Sequence, residues 1–263
     1  MMRNSVSSGR ATRRGQSQLL GYMLLVGLGL SAFFAAGYLG IEQLSETSNQ
    51  PQSIASADVE SHAAALEELS TGTPYRSVEF SGADGNIRYG DPITVTVQAS
   101  APSGSLSPVS ISATPLIYDV DDTQIASVLG ATVLQGQSGG VVMQSVPPVQ
   151  IAPQQSTLRL METAQSGGAD QLTTGENRAA TVSNHRYQTQ TTRFEPTDTN
   201  GDLEIATVTI TIQSPRYEAW AAFYRDHPQV DSVSTTASNE VTIQFDTKRL
   251  LIQHTSINMK ITR

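Results

Sequence analysis

The residues able to ligate a metal or move a proton near neutral pH are scattered in this chain. His62, His185, His227 and His254 stand far apart, and none belongs to an H-E-x-x-H or other metal-ligand spacing. They read as surface or capping residues. Cysteine is absent, which removes thiolate nucleophiles, Cys-based zinc and iron–sulfur sites, disulfides and an acylated-Cys anchor. The run Asp198-Thr199-Asn200-Gly201-Asp202-Leu203-Glu204 alternates oxygen ligands as calcium loops do. Its Gly, however, is fourth rather than sixth and no Glu stands twelfth, so an Asn-Gly hairpin turn explains it with less. Asp119, Asp121 and Asp122 cluster near Gln124 between two strand candidates, where a solvated turn is expected rather than acid–base work. No catalytic, cofactor or metal residue is therefore assigned, and no enzymatic activity is expected.

Composition narrows the partners. The 263 residues carry a formal net charge of -8, so no broad basic surface for nucleic acid is expected. Ser, Thr and Gln number 30, 28 and 21, against only 15% charged residues, so the surface is polar through hydroxyl and amide groups. Among the cations 14 are Arg and two, Lys248 and Lys260, are Lys; with the acidic total this suggests a GC-rich or halophilic source. No Asn-x-Ser/Thr acceptor occurs, whereas O-linked modification stays open.

The N-terminus carries the sharpest pattern. Residues 1–15 hold Arg3, Arg10, Arg13 and Arg14 and no acid, and the 23 residues from Leu19 to Ile41 hold no charge. As a helix, that run measures about 34 Å, enough to cross a hydrocarbon core of roughly 30 Å. From Glu42 to Tyr75 every charged residue is acidic. The positive-inside rule then keeps the N-terminus in the cytoplasm and exports the chain beyond residue 41. Within the run, Gly27, Ser31 and Ala35 recur at intervals of four, as do Ala32, Ala36 and Gly40, two small faces suited to close helix packing in lipid.

Arg13-Arg14-Gly15 followed by Gln16-Ser17-Gln18 and the apolar run resembles the class III leader of type IV pilins and archaellins. The resemblance implies a prepilin peptidase as partner, cutting between Gly15 and Gln16 on the cytoplasmic side and leaving the helix on the mature protein. It also implies pilin subunits as partners, and a long N-terminal helix packed on a β-rich head. Leu20 stands where bacterial pilins carry Glu, which suits an archaeal pilin-like protein. Removing four Arg and no acid leaves 12 cations against 24 acids, a mature charge of -12.

Beyond the anchor, Ser45–Gln52 is polar and contains Pro51. Val59, Ala63 and Leu66 then share one helical face, which predicts a second helix broken from the first at Pro51. After Pro74 the chain turns strand-like, with period-2 runs at 93–97 and 208–212. Further strands are expected at 76–80, 109–120, 124–133, 141–145, 156–161, 187–194, 241–245 and 250–261. Residues 164–185 lack periodicity and read as a long surface loop. Ser214 and Pro215 open a short helix whose Tyr217, Trp220, Ala221 and Tyr224 share a face expected in the core. Ser214 with Tyr-x-x-Trp-x-x-Phe and the Val-rich strands resembles a segment of haloarchaeal pilin-like and related secreted proteins of unassigned function.

The expected organisation is a basic leader over 1–15, a transmembrane helix over 16–41, an exported helical stalk over 42–72 and a β-rich extracellular domain over 73–263. The fold class is mainly β, an antiparallel sandwich or rolled sheet with one short aromatic helix behind an N-terminal anchor. The expected function is a single-pass cell-surface structural protein, a type IV pilin-like subunit for filament or adhesion. The alternatives are a non-polymerising anchored binding protein and, least supported, an anchored hydrolase.

Overall fold

The computed structural model describes residues 49–236 and 239–263. The leader, the apolar run and residues 42–48 lie outside the described residues, and so do Arg13, Arg14, Gly15, Gln16 and the small residues of the packing faces. No helix among the described residues is long and apolar enough to cross a membrane.

The described chain is mainly β, with two helices. Helix α1 is Asn49–Thr71 and contains Pro51. Gly72 at φ +139° ends it, and Thr73 N–H caps it by donating to Glu68 O at 3.1 Å. Its inner face is built into the body: Ala55 and Val59 enter one hydrophobic cluster, Leu66 and Leu69 another.

Sixteen strands in three sheets make up the rest of the described residues. One sheet has the order β1-β12-β16-β10-β9, from Tyr75–Phe80, Ala180–Phe194, Leu250–Thr262, Ser156–Gly168 and Val149–Gln150. The second is β11-β2-β5-β6-β7-β8: Gln171–Thr174, Gly85–Tyr89, Leu116–Val120, Thr123–Val128, Ala131–Gln135 and Val141–Ser145. The third is β14-β15-β13-β3-β4: Ser232–Thr236, Glu240–Thr247, Ala206–Gln213, Ile93–Ala101 and Gly104–Ala113. Helix α2, Tyr217–Arg225, packs on the third.

The strand runs read from period-2 alternation are present, and four expectations change. Residues 164–185 are not a loop: β10 continues to Gly168 beside β16, β11 pairs with β2, and β12 begins at Ala180. Residues 109–120 are not one strand. Pro115 cannot donate to a ladder, and the chain there leaves β4 in one sheet for β5 in another, with Gly90 N–H donating to Pro115 O at 2.8 Å. Residues 124–133 form a hairpin, turning at Leu129 (φ +54°) and Gly130 (φ +74°). The sheets are also not wholly antiparallel, since β10 and β16 run parallel.

The long strands of the first sheet serve three cores, with Ala180, Val182 and Ile261 in the one that also holds Ala55, Val59 and Phe80. Leu158, Leu160, Leu250 and Ile252 pack with β3, β13, β15 and α2, whereas Met161, Ile257 and Met259 pack under α1. The buried residues change from even to odd positions along each strand, so the buried face switches. In α2, Trp220, Ala221 and Tyr224 are buried in the larger core, as the aromatic stripe predicts; Tyr217 is only half-buried. The helix begins at Tyr217, two residues after Pro215, and Ser214 Oγ accepts from Arg216 N–H at 3.1 Å without capping it.

Candidate interaction surface

Among the described residues, the polar clusters are tied into the fold. His62 is not a surface residue: it is fully buried on α1, with Nε2 3.2 Å from Asn184 Oδ1 and Nδ1 2.9 Å from Ser127 Oγ. Because Oδ1 only accepts, Nε2 carries the proton, Nδ1 accepts from the serine hydroxyl, and the ring is neutral. Burial pushes its pKa down to about 4, against a smaller upward pull from Asn184. Ser127 and Asn184 are buried too, so the trio cannot meet a substrate and pins α1 to two sheets instead. Its position is readable in the sequence, since Val59, His62, Leu66 and Leu69 keep the 3-4-3 spacing of one helical face.

On the first sheet, His254 Nε2 lies 3.0 Å from Glu162 Oε2, and Ser256 donates to the same oxygen at 2.9 Å. A nucleophilic relay needs the serine on the imidazole, not on the carboxylate. Gly136-Gln137-Ser138-Gly139-Gly140 spells G-x-S-x-G, yet it is the turn between β7 and β8, closed by Gly136 N–H on Gly140 O at 3.1 Å. The pattern needs a strand-to-helix elbow, which is not found there. His185 packs on Tyr75 with ring centroids 4.5 Å apart, and His227 Nδ1 accepts from Gln229 N–H, as a capping histidine does.

The acidic clusters are turns. Asp198 Oδ1 accepts from the backbone N–H of Asn200 and Asp202 at 2.8 and 2.9 Å, and those bonds, Asp202 first, hold its carboxyl below the usual range. Asp119 binds Arg88 at 2.7 Å, and Asp121 turns the β5–β6 hairpin at φ +50°. No group of three or more metal-ligating side chains occurs among the described residues.

What the body does offer is an open strand edge. Strand β12 has 15 residues, and β1 covers only Ala180–His185 of it. The ladder ends for a local reason: Pro74 accepts from Arg186 N–H at 3.0 Å but has no N–H to return, and the chain before it turns into α1. A register shift between Arg186 and Gln188 then bends β12, and among the described residues β16 alone flanks it as far as Phe194. Half-buried strands alternate, but Tyr187–Thr191 are five consecutive exposed residues, with Tyr187 77% exposed.

Two other edges are blunted. β4 carries Pro108 and a register shift, and the outer side of β10 is met by Thr114, whose N–H donates to Thr163 O at 2.9 Å. Between Thr181 and Phe194 there is no Pro, Lys, Asp or Glu, only Arg186 and Arg193. Beside this edge lies a cleft of about 350 Å³ lined by Ser70, Thr71, Gly72, Arg186, Tyr187, Gln188, Thr189 and Gln253. Gln253 Nε2 donates to Ser70 O at 2.8 Å and fixes its floor. Unpaired backbone, an exposed tyrosine and two flanking cations suit strand pairing with another chain, not catalysis.

Sequence reasoning does not find this edge. Its only signal is a Thr/Gln-rich strand without acid, and nothing in that run tells which side will be left open.

The chain belongs to a family of unknown function, DUF7289, whose model matches residues 14–260. No curated protein and no solved structure matches it.

Proposed function

We propose that this chain is a single-pass cell-surface structural protein of the archaeal type IV pilin-like class, with its N-terminus in the cytoplasm and its β-rich body outside. The observation that carries the reading is the register of Arg13-Arg14-Gly15 against the uncharged run Leu19–Ile41. The family match supports it, because it begins within that motif, at residue 14, and runs on to residue 260. Apolar run and β body thus recur as one unit. A helix whose inner face is built into a mainly β body is also the arrangement that pilins of the resembled class present.

On this reading a prepilin peptidase removes residues 1–15, the apolar helix anchors the mature chain, and Gly27, Ser31, Ala35, Ala32, Ala36 and Gly40 pack it against neighbouring pilin helices. No reaction or cofactor is required. The second reading, an anchored binding protein that does not polymerise, draws on the open edge of β12 and its cleft.

N-terminal sequencing of the protein recovered from membranes tests the proposal directly. Gln16 as the first residue is expected, and Gly15→Leu is expected to leave the chain at its unprocessed size. Processing that is unchanged in Gly15→Leu, or a mature end after the apolar run, would overturn it.

A further inference from the structure

We infer that Arg216 and Arg88 hold a small monovalent anion, chloride or a carboxylate group, where the start of α2 meets the outer face of the second sheet. The inference goes beyond the pilin reading and does not depend on it.

The strand period brings the groups together. Ile87, Tyr118 and Ile125 belong to the core that α1 covers, so their neighbours Arg88, Asp119 and Gln124, on the adjacent strands β2, β5 and β6, stand on the opposite face. Asp119 and Gln124 are opposite one another in register, and Asp119 Oδ2 accepts from Arg88 Nε at 2.7 Å. Arg216, the residue before α2, reaches this face: its Nη2 donates to Gln124 Oε1 at 3.0 Å. Its backbone N–H is held by Ser214 Oγ.

The charges there do not close. Arg216 is only 8% exposed, its Nε is buried without a hydrogen-bond partner, and it forms no ion pair among the described residues. A guanidinium cannot give up its proton, and a buried charge is ordinarily paired. The carboxylate at hand, Asp119, is already committed to Arg88, so two cations and one acid leave this cluster at +1. Burial, and after it the charge of Arg88, push the Arg216 pKa down, with Asp119 pulling against them. Arg216 also stands at the N-terminal end of α2, where the helix dipole is positive and favours an anion over a cation. Glu218, the acid of that first turn, accepts from the Tyr217 hydroxyl and forms no ion pair. The side chains of Arg88 and Asp119 are 31% and 27% exposed, so the cluster opens to solvent at that end and an anion reaches it without unfolding. One negative charge neutralises the cluster, whereas a dianion would overshoot.

The test uses the full chain in detergent at pH 7, its melting temperature read from Trp220, the single tryptophan, four residues beyond Arg216. Sodium fluoride, whose anion keeps its water, is replaced stepwise by sodium chloride or sodium acetate at constant ionic strength. Wild type is expected to gain stability along a saturating curve, as a ligand bound to the folded state requires. Arg216→Gln, which keeps a donor for Gln124, should flatten that curve. A stronger response to chloride assigns the site to a halide, and a stronger response to acetate assigns it to a carboxylate group. Asp119→Asn keeps the side-chain shape and takes the cluster from +1 to +2, so the half-saturating concentration should fall by at least about threefold. A purely structural Arg216 would not move that value. A response of equal size in wild type and Arg216→Gln, none to either anion in wild type, or an unchanged half-saturating concentration in Asp119→Asn overturns the inference. If Arg216→Gln does not accumulate, Asp119→Asn decides alone.

Discussion

Acidification should unlock α1 through one side chain. His62 is neutral in the folded protein with a pKa of about 4, against 6.5 in an unfolded chain. Above pH 6.5 neither state holds the proton and the residue costs nothing. Between 6.5 and 4 the unfolded chain binds the proton and the folded one does not, so stability falls as pH falls, and the loss levels off below 4. A shift of this size corresponds to roughly 3 kcal/mol at the limit, most of which is lost by pH 4.5. Asp58 acts in the opposite sense: desolvation raises its pKa, so its protonation stabilises the fold at lower pH.

The perturbation that isolates His62 is His62→Gln, which keeps one donor and one acceptor but cannot titrate. Urea unfolding of a fragment starting at Asn49 can be followed by Trp220, the single tryptophan, 1% exposed. At pH 7 the variant should be less stable by about 1–3 kcal/mol, since Ser127 and Asn184 keep poorer partners. At pH 4.5 that difference should have vanished or reversed. If both proteins lose stability in parallel from pH 7 to 4.5, or if the His62 ring titrates near 6.5 by NMR, the buried-neutral assignment is wrong.

Gly130→Ala should cost about 1–3 kcal/mol in the same assay, because φ is +74° and a Cβ would stand 2.9 Å from Pro148 Cδ. Gly201→Ala, at φ +86° with open space around it, carries the backbone penalty alone and should cost less; equal losses would mean that the contact with Pro148 is absorbed. Replacing Gly27 and Ser31 together by Leu should leave processing and membrane level unchanged, by blot, and remove sheared high-mass material. If wild type yields no such material, or the double variant yields as much, the small faces do not assemble filaments and the anchored-monomer reading replaces the filament.

Strands with one buried face throughout are legible in the sequence, as at 93–97, 208–212 and 241–245, because their alternation is simply which side meets the core. β10 is only half legible: its face switches between Leu160 and Met161, and from Ala164 to Gly168 it is exposed and held in place by β16, not by apolar content. β11 has a single buried residue, Thr174, which bonds Ala83 O at 2.9 Å. A polar strand of this kind is specified by its neighbours. His62 is legible from spacing but its role is not, since Ser127 and Asn184 lie 65 and 122 residues away. The same holds for the β12 edge, which exists only because Pro74, a distant residue, ends β1.

The position of β16 governs when this body can form. It is the last strand in chain order, yet it sits at the centre of its sheet between β12 and β10 and supplies Leu250, Ile252, Ile257, Met259 and Ile261 to all three hydrophobic clusters. Until residues 250–262 arrive, β12 and β10 have no common neighbour, and three cores stay open at once. Folding of this body is therefore tied to the arrival of residues 250–262, with the long-range pairing that slows β-rich domains. A nascent chain would keep these cores open, and so stay pliable, until Leu250–Thr262 is free to insert between β12 and β10.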